Sequence, residues 1–355
     1  MTKPFVSVLI DTYNHERFIE EAIVNVLEQD FPASEREILV VDDGSTDSTP
    51  EIVRKFEPRL RLIRKPNGGQ ASAFNAGIPE CTGEIVAFLD GDDWWAKGKL
   101  RKVASALSGE PRCGIVGHGI ANSFEDGSNT IDAVSKPERL RLNSLAAARV
   151  LRLRKSYLGT SRMTMRAQIA RQILPVPEML TIEADEYLFT LAAALSDLII
   201  LPDVLTYYRQ HGANLYSAAG GNADGLRRKQ IVMAALAAAL RSELAARGVP
   251  REAVECVCEI VESEAQQLRL MLDGGAPWET MRVESTIYGI MHGDAPLSHR
   301  VFRFATMIPS LVLPPKWFYS SRRWIGERTW YRRNRKKFLP TPKLTSVANG
   351  KEFKA

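Results

Sequence analysis

The first ninety residues alternate between short apolar runs and segments with the signature of helices. The apolar runs have the length of buried strands and cover residues 5–10, 37–41, 59–65 and 84–90. A strand–helix repeat of this kind requires right-handed crossovers. The sequence therefore predicts an α/β domain whose mostly parallel sheet is flanked by helices, as in Rossmann-like folds.

Aspartates stand at the ends of three of these four runs. Asp11 follows the first run, the pair Asp42 and Asp43 follows the second, and Asp90-Gly91-Asp92-Asp93 follows the fourth. Ligands of open α/β sheets bind outside the carboxyl ends of the strands. Because carboxylates repel bare phosphate, such a cluster near a phosphorylated ligand implies a bridging divalent cation, and Mg²⁺ and Mn²⁺ prefer oxygen ligands. A solvated acidic turn is the alternative interpretation of the tripeptide at residues 90–92.

The rest of the chain has a different organisation. Residues 96–150 are irregular, 183–196 indicate a helix, 198–201 a short strand and 207–217 a loop. Two helices are predicted between 224 and 272, which gives the domain a C-terminal helical extension. We predict a nucleotide-binding and catalytic domain over 1–215, the helical extension over 216–295 and a basic aromatic tail over 296–355.

Four motifs occur in order in the first half of the chain. They are VSVLIDTYNHERFIEEAIVNVLEQDFP, EILVVDDGSTDST, NGGQASAFNAGI and GEIVAFLDGDDWW. Together they resemble the N-terminal half of family 2 glycosyltransferases, which are inverting enzymes with the GT-A fold. The resemblance covers roughly residues 4–215. It implies transfer of a sugar from a nucleotide-diphosphate donor, with uridine as the expected base, to an acceptor hydroxyl in cell-surface polysaccharide or glycolipid synthesis.

The resemblance also implies roles for individual residues. Asp92 and His211 are expected to hold Mg²⁺ or Mn²⁺, with Asp93 as a competing ligand, and Asp90 to contact the ribose or a metal-bound water. Tyr13 is expected to stack on the base. The whole set expected at the nucleotide sugar is Asp11, Tyr13, Glu16, Asp42, Asp43, Asn67, Gly69, Asp90 and Arg209. For Asn67 and Gly69 a simple turn is the alternative.

The general base is expected in the segment TIEADEYLFTLAAAL. Asp185 fits this role best, with Glu183 and Glu186 beside it. Three acids within four residues raise one another's pKa, which suits a base. Acids that favour a helix N-terminus are the alternative. Trp94 and Trp95 follow the acidic motif and are candidates for stacking on the acceptor sugar, or for core residues.

The basic charge of the chain is concentrated at its C-terminal end. From residue 316 onward there are twelve Lys or Arg and two Glu, a net charge of +10, so the preceding chain carries −5. Trp and Tyr alternate with these cations between 317 and 337, as in interfacial membrane segments. We therefore hypothesise a cytoplasmic protein attached peripherally to the membrane, near saccharide or lipid-linked acceptors. A basic helix packed on the enzyme is the alternative, and nucleic acid is not expected as a partner.

The sequence disfavours two other functions. A non-catalytic nucleotide-sugar-binding or scaffold protein would have a degraded acidic motif, and this motif is intact. A nucleotidyltransferase would have a glycine-rich loop with a basic residue after the first strand, and DTYNHE lacks one.

Overall fold

The computed structural model describes residues 5–211, 223–292 and 297–327. The strands are β1 (Val6–Thr12), β2 (Arg36–Asp42), β3 (Arg61–Arg64), β4 (Ile85–Asp90), β5 (Trp94–Trp95), β6 (Cys113–Phe124), β7 (Asn129–Asp132), β8 (Glu138–Leu140), β9 (Thr164–Arg166) and β10 (Asp197–Gln210). The helices of the sheet domain are α1 (Ile19–Leu27), α2 (Thr49–Arg54), α3 (Gln70–Gly77), α4 (Lys99–Gly109), α5 (Leu145–Arg154), α6 (Ala167–Ile173) and α7 (Ala184–Leu195). The C-terminal helices are α8 (Ala223–Ala246), α9 (Arg251–Asp273), α10 (Pro277–His292), α11 (Leu297–Met307) and α12 (Pro315–Glu327).

The sheet is parallel in its first half and mixed in its second. Its strand order is β3-β2-β1-β4-β9-β6-β10-β5, with β7 paired to β6 and β8 to β10. The four strands predicted from the apolar runs are all parallel. Beyond them, β9 runs antiparallel to both β4 and β6, while β6 and β10 are parallel. The sheet is thus an α/β sheet flanked by helices, as predicted, but its second half is not mostly parallel.

Two strand segments were missed in the sequence analysis. Residues 113–124 form β6 where an irregular region was expected, and Tyr207–Gln210 extend β10 where a loop was expected. Glycine hides the first of these, because glycine is depleted in ordinary strands. At Gly117 a Cβ atom would lie 2.5 Å from the carbonyl oxygen of Tyr157. Close packing therefore requires a residue type that weakens the strand pattern.

Apolar side chains cover both faces of the sheet. One core contains Leu9, Phe74 and Phe88, and the other contains Val8 and Ile10 with the buried face of α1. The first core continues without interruption into α8 and α9, through residues such as Leu236, Leu240 and Val257. The helical extension predicted for 216–295 therefore shares its core with the sheet domain in the described residues.

Buried ion pairs reinforce this junction. Arg152 of α5 pairs with Glu186 of α7 and with Glu264 of α9, and its side chain is 1% exposed. Lys155 binds both glutamates as well. Lys229 of α8 lies 2.7 Å from Glu183 at the start of α7. Lys229 of the helical extension thus reaches Glu183, and Glu264 of the extension binds the Arg152 and Lys155 side chains that pair with Glu186.

The predicted basic tail is only partly described, because residues 328–355 lie outside the described parts of the chain. In α12, Phe318 and Tyr319 are buried against α9 and α10, whereas Trp317 is 70% exposed. Helix α12 therefore packs on the protein, which agrees with the alternative given for this segment. A transmembrane helix is not found among the helices described here.

Substitution of Arg152 by Met should lower the free energy of unfolding by about 3 kcal/mol, because the buried Glu186 would lose its closer cationic partner and keep Lys155 at 3.4 Å. Chemical denaturation of both proteins measures the difference. Arg241→Met is the matched control, since the Arg241 ion pairs with Glu255 and Glu262 are about 40% exposed and should contribute less than about 1 kcal/mol. Equal losses in the two variants would contradict the proposed burial effect.

Candidate active site

The strand register brings the predicted aspartates to one edge of the sheet. Asp11 pairs with Asp90, and Thr12 pairs with Asp42, because β1 lies between β2 and β4. Burial, followed by the charge of Asp90, raises the pKa of Asp11. Burial and the charges of Asp93 and Asp92 raise that of Asp90. The negative charges of these carboxylates therefore raise one another's pKa.

The side chain of Asp93 is almost completely shielded from solvent. It is 1% exposed, and burial together with the charge of Asp92 raises the pKa of its side chain to about 8. Its Oδ1 accepts the backbone N–H of Arg209 at 3.0 Å. Its Oδ2 is buried without a hydrogen-bond partner, as is Oδ1 of Asp11. Buried carboxylate oxygens without a partner indicate a place where a cation is favoured.

Asp92 is held by two histidines. Its Oδ2 lies 3.0 Å from Nε2 of His211 and 3.8 Å from Nε2 of His15. Burial opposes ionisation of Asp92, but the hydrogen bond from His211 and the electrostatic interactions with His15 and His211 together outweigh it and keep the pKa below its ordinary value. Burial lowers the pKa of His15, whose Nδ1 contacts Thr12 Oγ1 at 3.2 Å. Asp92 is therefore an ionised carboxylate at neutral pH, and His15 is a neutral imidazole.

Asp92 and His211 are the side chains that could hold a divalent cation. No group of three or more acidic, histidine or cysteine side chains in metal-binding geometry occurs in residues 5–211, 223–292 and 297–327. Asp92 and His211, 3.0 Å apart, supply two ligands. Mg²⁺ is usually bound through one or two carboxylates, with phosphate oxygens and waters completing its shell. The donor set, with unpartnered oxygens on Asp11 and Asp93, fits an ion that shares a bound phosphate.

Asp43 organises the loop that follows β3. It is 4% exposed and accepts hydrogen bonds from Lys65 Nζ at 2.6 Å, from the Gly68 N–H at 3.0 Å and from the Gly69 N–H at 2.7 Å. Gly69 has a φ of +81°, and a Cβ atom there would lie 2.6 Å from Thr181. Asp43 and Gly69 are therefore brought together, with glycine required by the backbone.

Asp42 and Asn67 belong to the same corner. Asp42 is fully buried, its Oδ1 accepts the N–H of Ser45 at 3.1 Å, and its Oδ2 lies 3.2 Å from Nε of Arg64. Asn67 packs against Gly44, where a Cβ atom would lie 2.6 Å from the Asn67 nitrogen. These contacts give Asp42 a structural task in addition to any contact with a ligand.

Tyr13 and Glu16 lie in the loop after β1. Tyr13 is 38% exposed, so its ring is accessible. Glu16 accepts the backbone N–H of Ser48 at 3.0 Å, and its own N–H donates to Asp47 at 3.1 Å. These bonds join the first loop to the start of α2. Glu16 therefore stabilises the contact between these two loops, next to the predicted nucleotide site.

Asp185 lies in the first turn of α7. Its Oδ2 accepts the N–H of Thr160 at 3.2 Å, and its Oδ1 accepts the N–H of Glu186 at 2.8 Å. Burial, followed by the charge of Glu183, raises the pKa of Asp185 to about 6. By contrast, Arg152 and Lys155 outweigh burial and lower the pKa of Glu186 to about 2. The expectation that all three acids have raised pKa values was therefore wrong for Glu186.

Arg162 was not identified from the sequence. Burial raises the pKa of Asp90, Asp93 and Asp185, and the positive charge of Arg162 partly offsets this increase at all three carboxylates. Its Nε is buried without a hydrogen-bond partner. The adjacent Ser161 donates from Oγ to Asp90 Oδ2 at 3.2 Å. The residues between 159 and 162 match no motif that we noted, so only the tertiary structure indicates this cation.

Arg209 lies over the acidic motif, on β10. Its Nε donates to the carbonyl of Asp92 at 3.0 Å, and its Nη2 donates to Glu21 at 2.7 Å. Its guanidinium lies 4.4 Å from the centre of the Trp94 ring, and Trp94 stacks on Tyr207 at 5.4 Å. Arg209 and Trp94 are therefore brought together with the acidic motif, and their roles in binding stay predictions.

Trp95 is a core residue. It is 1% exposed, its Nε1 donates to the Ser161 carbonyl at 2.9 Å, and Nζ of Lys99 lies 3.4 Å from its ring centre. Burial lowers the pKa of Lys99 well below its ordinary value. A ring enclosed in this way cannot stack on an acceptor sugar. The acceptor role expected for Trp95 was therefore wrong, and Trp94, which is partly exposed, remains the candidate.

Comparison with known proteins agrees with this geometry. The model of glycosyl transferase family 2 matches residues 7–174. An uncharacterised glycosyltransferase of Nostoc sp. is 33% identical over 221 residues, which cover 60% of this chain and 67% of that protein. The poly(ribitol-phosphate) β-N-acetylglucosaminyltransferase TarS of Staphylococcus aureus is 30% identical over 228 residues, or 60% of this chain. The match spans only 37% of the length of TarS.

Solved structures show the same fold. The crystal structure of S. aureus TarS residues 1–349 with UDP-GlcNAc aligns with a TM-score of 0.56 at 20% identity, covering 90% of this chain and 92% of that one. The mannosyltransferase PcManGT of Pyrobaculum calidifontis, in complex with GDP-Man and Mn²⁺, aligns at 0.50 with 20% identity, covering 92% and 89%. The mixed sheet flanked by helices, with C-terminal helices, is the predicted GT-A fold. On the family match and the identity to its relatives, the chain belongs to glycosyl transferase family 2.

Proposed function

We propose that this glycosyltransferase moves a sugar from a nucleoside-diphosphate donor, a UDP-sugar, to an acceptor hydroxyl with inversion at the anomeric carbon. The observation that carries the proposal is Asp185, a buried carboxylate whose pKa is raised to about 6. The positive charge of Arg162 acts on Asp185 and also on Asp90 and Asp93 of the acidic motif. TarS is named as an N-acetylglucosaminyltransferase acting on poly(ribitol-phosphate) and binds UDP-GlcNAc, which supports a UDP-sugar and a cell-surface polysaccharide or glycolipid acceptor.

The donor is proposed to bind along the carboxyl ends of β1, β2 and β4. Tyr13, with its accessible ring, would stack on the base, and Asp11, Glu16, Asp42 and Asp43 would line the nucleoside. The loop that contains Asn67 and Gly69 would contact the nucleotide sugar, and hydrogen bonds to Asp43 hold this loop in place. Asp90 would bind the ribose. Trp94 would face the acceptor.

In the reaction, Asp185 takes the proton of the acceptor hydroxyl as the hydroxyl oxygen attacks the anomeric carbon. The bond from that carbon to the diphosphate breaks at the same time, and the diphosphate keeps the electron pair. A single displacement inverts the anomeric configuration. The guanidinium groups of Arg162 and Arg209 stabilise the negative charge that grows on the departing diphosphate.

Asp92 and His211 would hold the divalent cation, with Asp93 as the alternative carboxylate. When bound, Mg²⁺ or Mn²⁺ supplies further electrostatic stabilisation of the diphosphate. PcManGT binds Mn²⁺ together with its nucleotide sugar, which supports this part of the proposal. The proposed location is the cytoplasm, at the inner face of the membrane, where nucleotide sugars meet lipid-linked acceptors.

Asp185→Asn should reduce transfer by about 10²–10⁴-fold, because an amide cannot accept the proton. Nucleotide affinity should be unchanged, since the variant keeps its shape and one acceptor oxygen. The assay is release of nucleoside diphosphate from the donor, with nucleotide binding measured separately. Asp197→Asn is the matched control, because Asp197 lies at the start of β10 and pairs with Arg112 and Arg141. A wild-type protein that binds nucleotide sugar without any turnover would favour a non-catalytic scaffold.

The rate should depend on pH through Asp185. The base acts only when deprotonated, and its pKa is raised to about 6. The rate should therefore be flat above this pKa and fall about tenfold for each pH unit below it. A pH profile of kcat/KM measures this dependence, and the residual activity of Asp185→Asn should lack the inflection. A wild-type rate that is unchanged at pH 5 would assign the base elsewhere.

Thermal unfolding should show that nucleotide and metal bind together. UDP should raise Tm more with Mn²⁺ than without it, because a ligand that binds only the folded state stabilises it by mass action, by about 2.7 kcal/mol at a hundred times Kd. Asp92→Asn should lose the part that depends on Mn²⁺. Asp126→Asn, a change in an exposed turn, is the matched control and should keep it. An equal response to Mn²⁺ in both variants would exclude Asp92 as the ligand.

A further inference from the structure

Helix α11 presents an uncovered apolar face. Leu297, Val301 and Phe304 are 74%, 61% and 55% exposed, and Ile308, in the turn that follows, is 49% exposed. Their spacing of four, three and four residues places them on one side of a helix. We name these four residues the apolar stripe. Among the α11 side chains that the structure describes, only Met307 is buried, so α11 lies on the protein surface beside α10.

Further apolar surface follows directly in the chain. Val312 is 76% exposed and Trp317 is 70% exposed. Soluble monomers rarely leave large adjacent apolar side chains in water unless the surface binds something. Trp317 differs from its neighbours Phe318 and Tyr319, which are buried at 3% and 7% exposure. The aromatic residues of α12 are thus divided between one that faces solvent and two that anchor the helix.

The charges around the stripe are almost all positive. Residues 297–327 contain five Lys or Arg and one acid, Glu327. Arg300 and Lys316 are exposed. The chain then continues for 28 residues, from 328 to 355, with nine further Lys or Arg against one Glu. A sequence of this composition is attracted to anionic phosphate groups.

We propose that the apolar stripe docks on an anionic membrane surface, with α11 lying in the interface and Trp317 at headgroup depth. Apolar side chains flanked by cations and an exposed tryptophan are what interfacial binding requires, and stable attachment takes an apolar and an electrostatic contribution together. The stripe supplies the first, and the exposed cations Arg300 and Lys316, with the basic sequence that follows, supply the second. The inference rests on the peripheral location proposed above and not on the transfer chemistry.

A second copy of this chain fits the surface less well than a membrane does. In a two-fold contact the stripe of one copy would face the stripe of the other. The basic residues that surround each stripe would then oppose one another, which is unfavourable. The phosphate layer of a bilayer supplies the opposite charge over the whole surface.

Vesicle binding by the full chain tests the proposal. Wild-type protein should sediment with vesicles of equal parts phosphatidylcholine and phosphatidylglycerol, and much less with phosphatidylcholine alone. Val301→Gln combined with Phe304→Gln should weaken binding to the anionic vesicles by about tenfold or more, because two inserted side chains are lost while glutamine keeps the helix. Ile131→Gln combined with Ile231→Gln is the matched control, since these residues are similarly exposed, at 65% and 58%, away from the stripe.

A depth measurement separates insertion from simple charge attraction. The four native cysteines are buried, so Val301→Cys provides an accessible thiol for an environment-sensitive dye. Its emission should shift to the blue on anionic vesicles, whereas dye on Ile131→Cys should not respond. Unchanged vesicle binding by the glutamine variant, or equal dye responses at the two positions, would overturn the proposal.

The oligomeric state completes the test. Light scattering should give the same mass for the wild type and the glutamine variant. A wild-type dimer that the variant loses would assign the stripe to a second copy instead. Retained UDP binding shows that the variant is folded, and because vesicle binding needs no turnover, its failure is distinguishable from failure of the proposed transfer.

Discussion

Repulsion among carboxylates at one edge of the sheet is the constraint on which the site depends. The register of β1 with β4 places Asp11 beside Asp90, and the turn that follows adds Asp92 and Asp93. Each charge is compensated differently. Asp92 has His211, Asp93 has the Arg209 N–H, and Asp90 has Ser161. Oxygens of Asp11 and Asp93 are left without a hydrogen-bond partner, and the proposed cation would offset the negative charge there.

The helical extension solves the corresponding problem at α7. Glu183, Asp185 and Glu186 lie within four residues, yet the pKa values of Asp185 and Glu186 shift in opposite directions because their partners differ. Lys229 of α8 pairs with Glu183, and the buried Arg152, itself bound to α9, pairs with Glu186. Asp185 accepts backbone N–H groups instead, and burial followed by the charge of Glu183 raises its pKa to about 6. The extension therefore contributes to the proposed active site without entering it.

The same C-terminal region has two surfaces with opposite properties. Helices α8 and α9 continue the core of the sheet domain, while α11 leaves its apolar stripe uncovered. One surface fixes the proposed base, and the other is suited to a membrane. If both proposals hold, the C-terminal helices connect the packing around the proposed base with the proposed membrane-facing surface.

Local sequence determined the first four strands and the aspartates at their ends, because strand length, apolar content and helix periodicity are properties of neighbouring residues. It also indicated Asp185 and His211 through the resemblance. Tertiary packing decided the rest. Glycines required by close contacts concealed β6, and burial removed Trp95 from the acceptor site. Tertiary packing also explains the positions of Arg162 and His15 and the opposite pKa shifts of Asp185 and Glu186. These features depend on charges brought together from distant parts of the chain, and no local pattern encodes such distances.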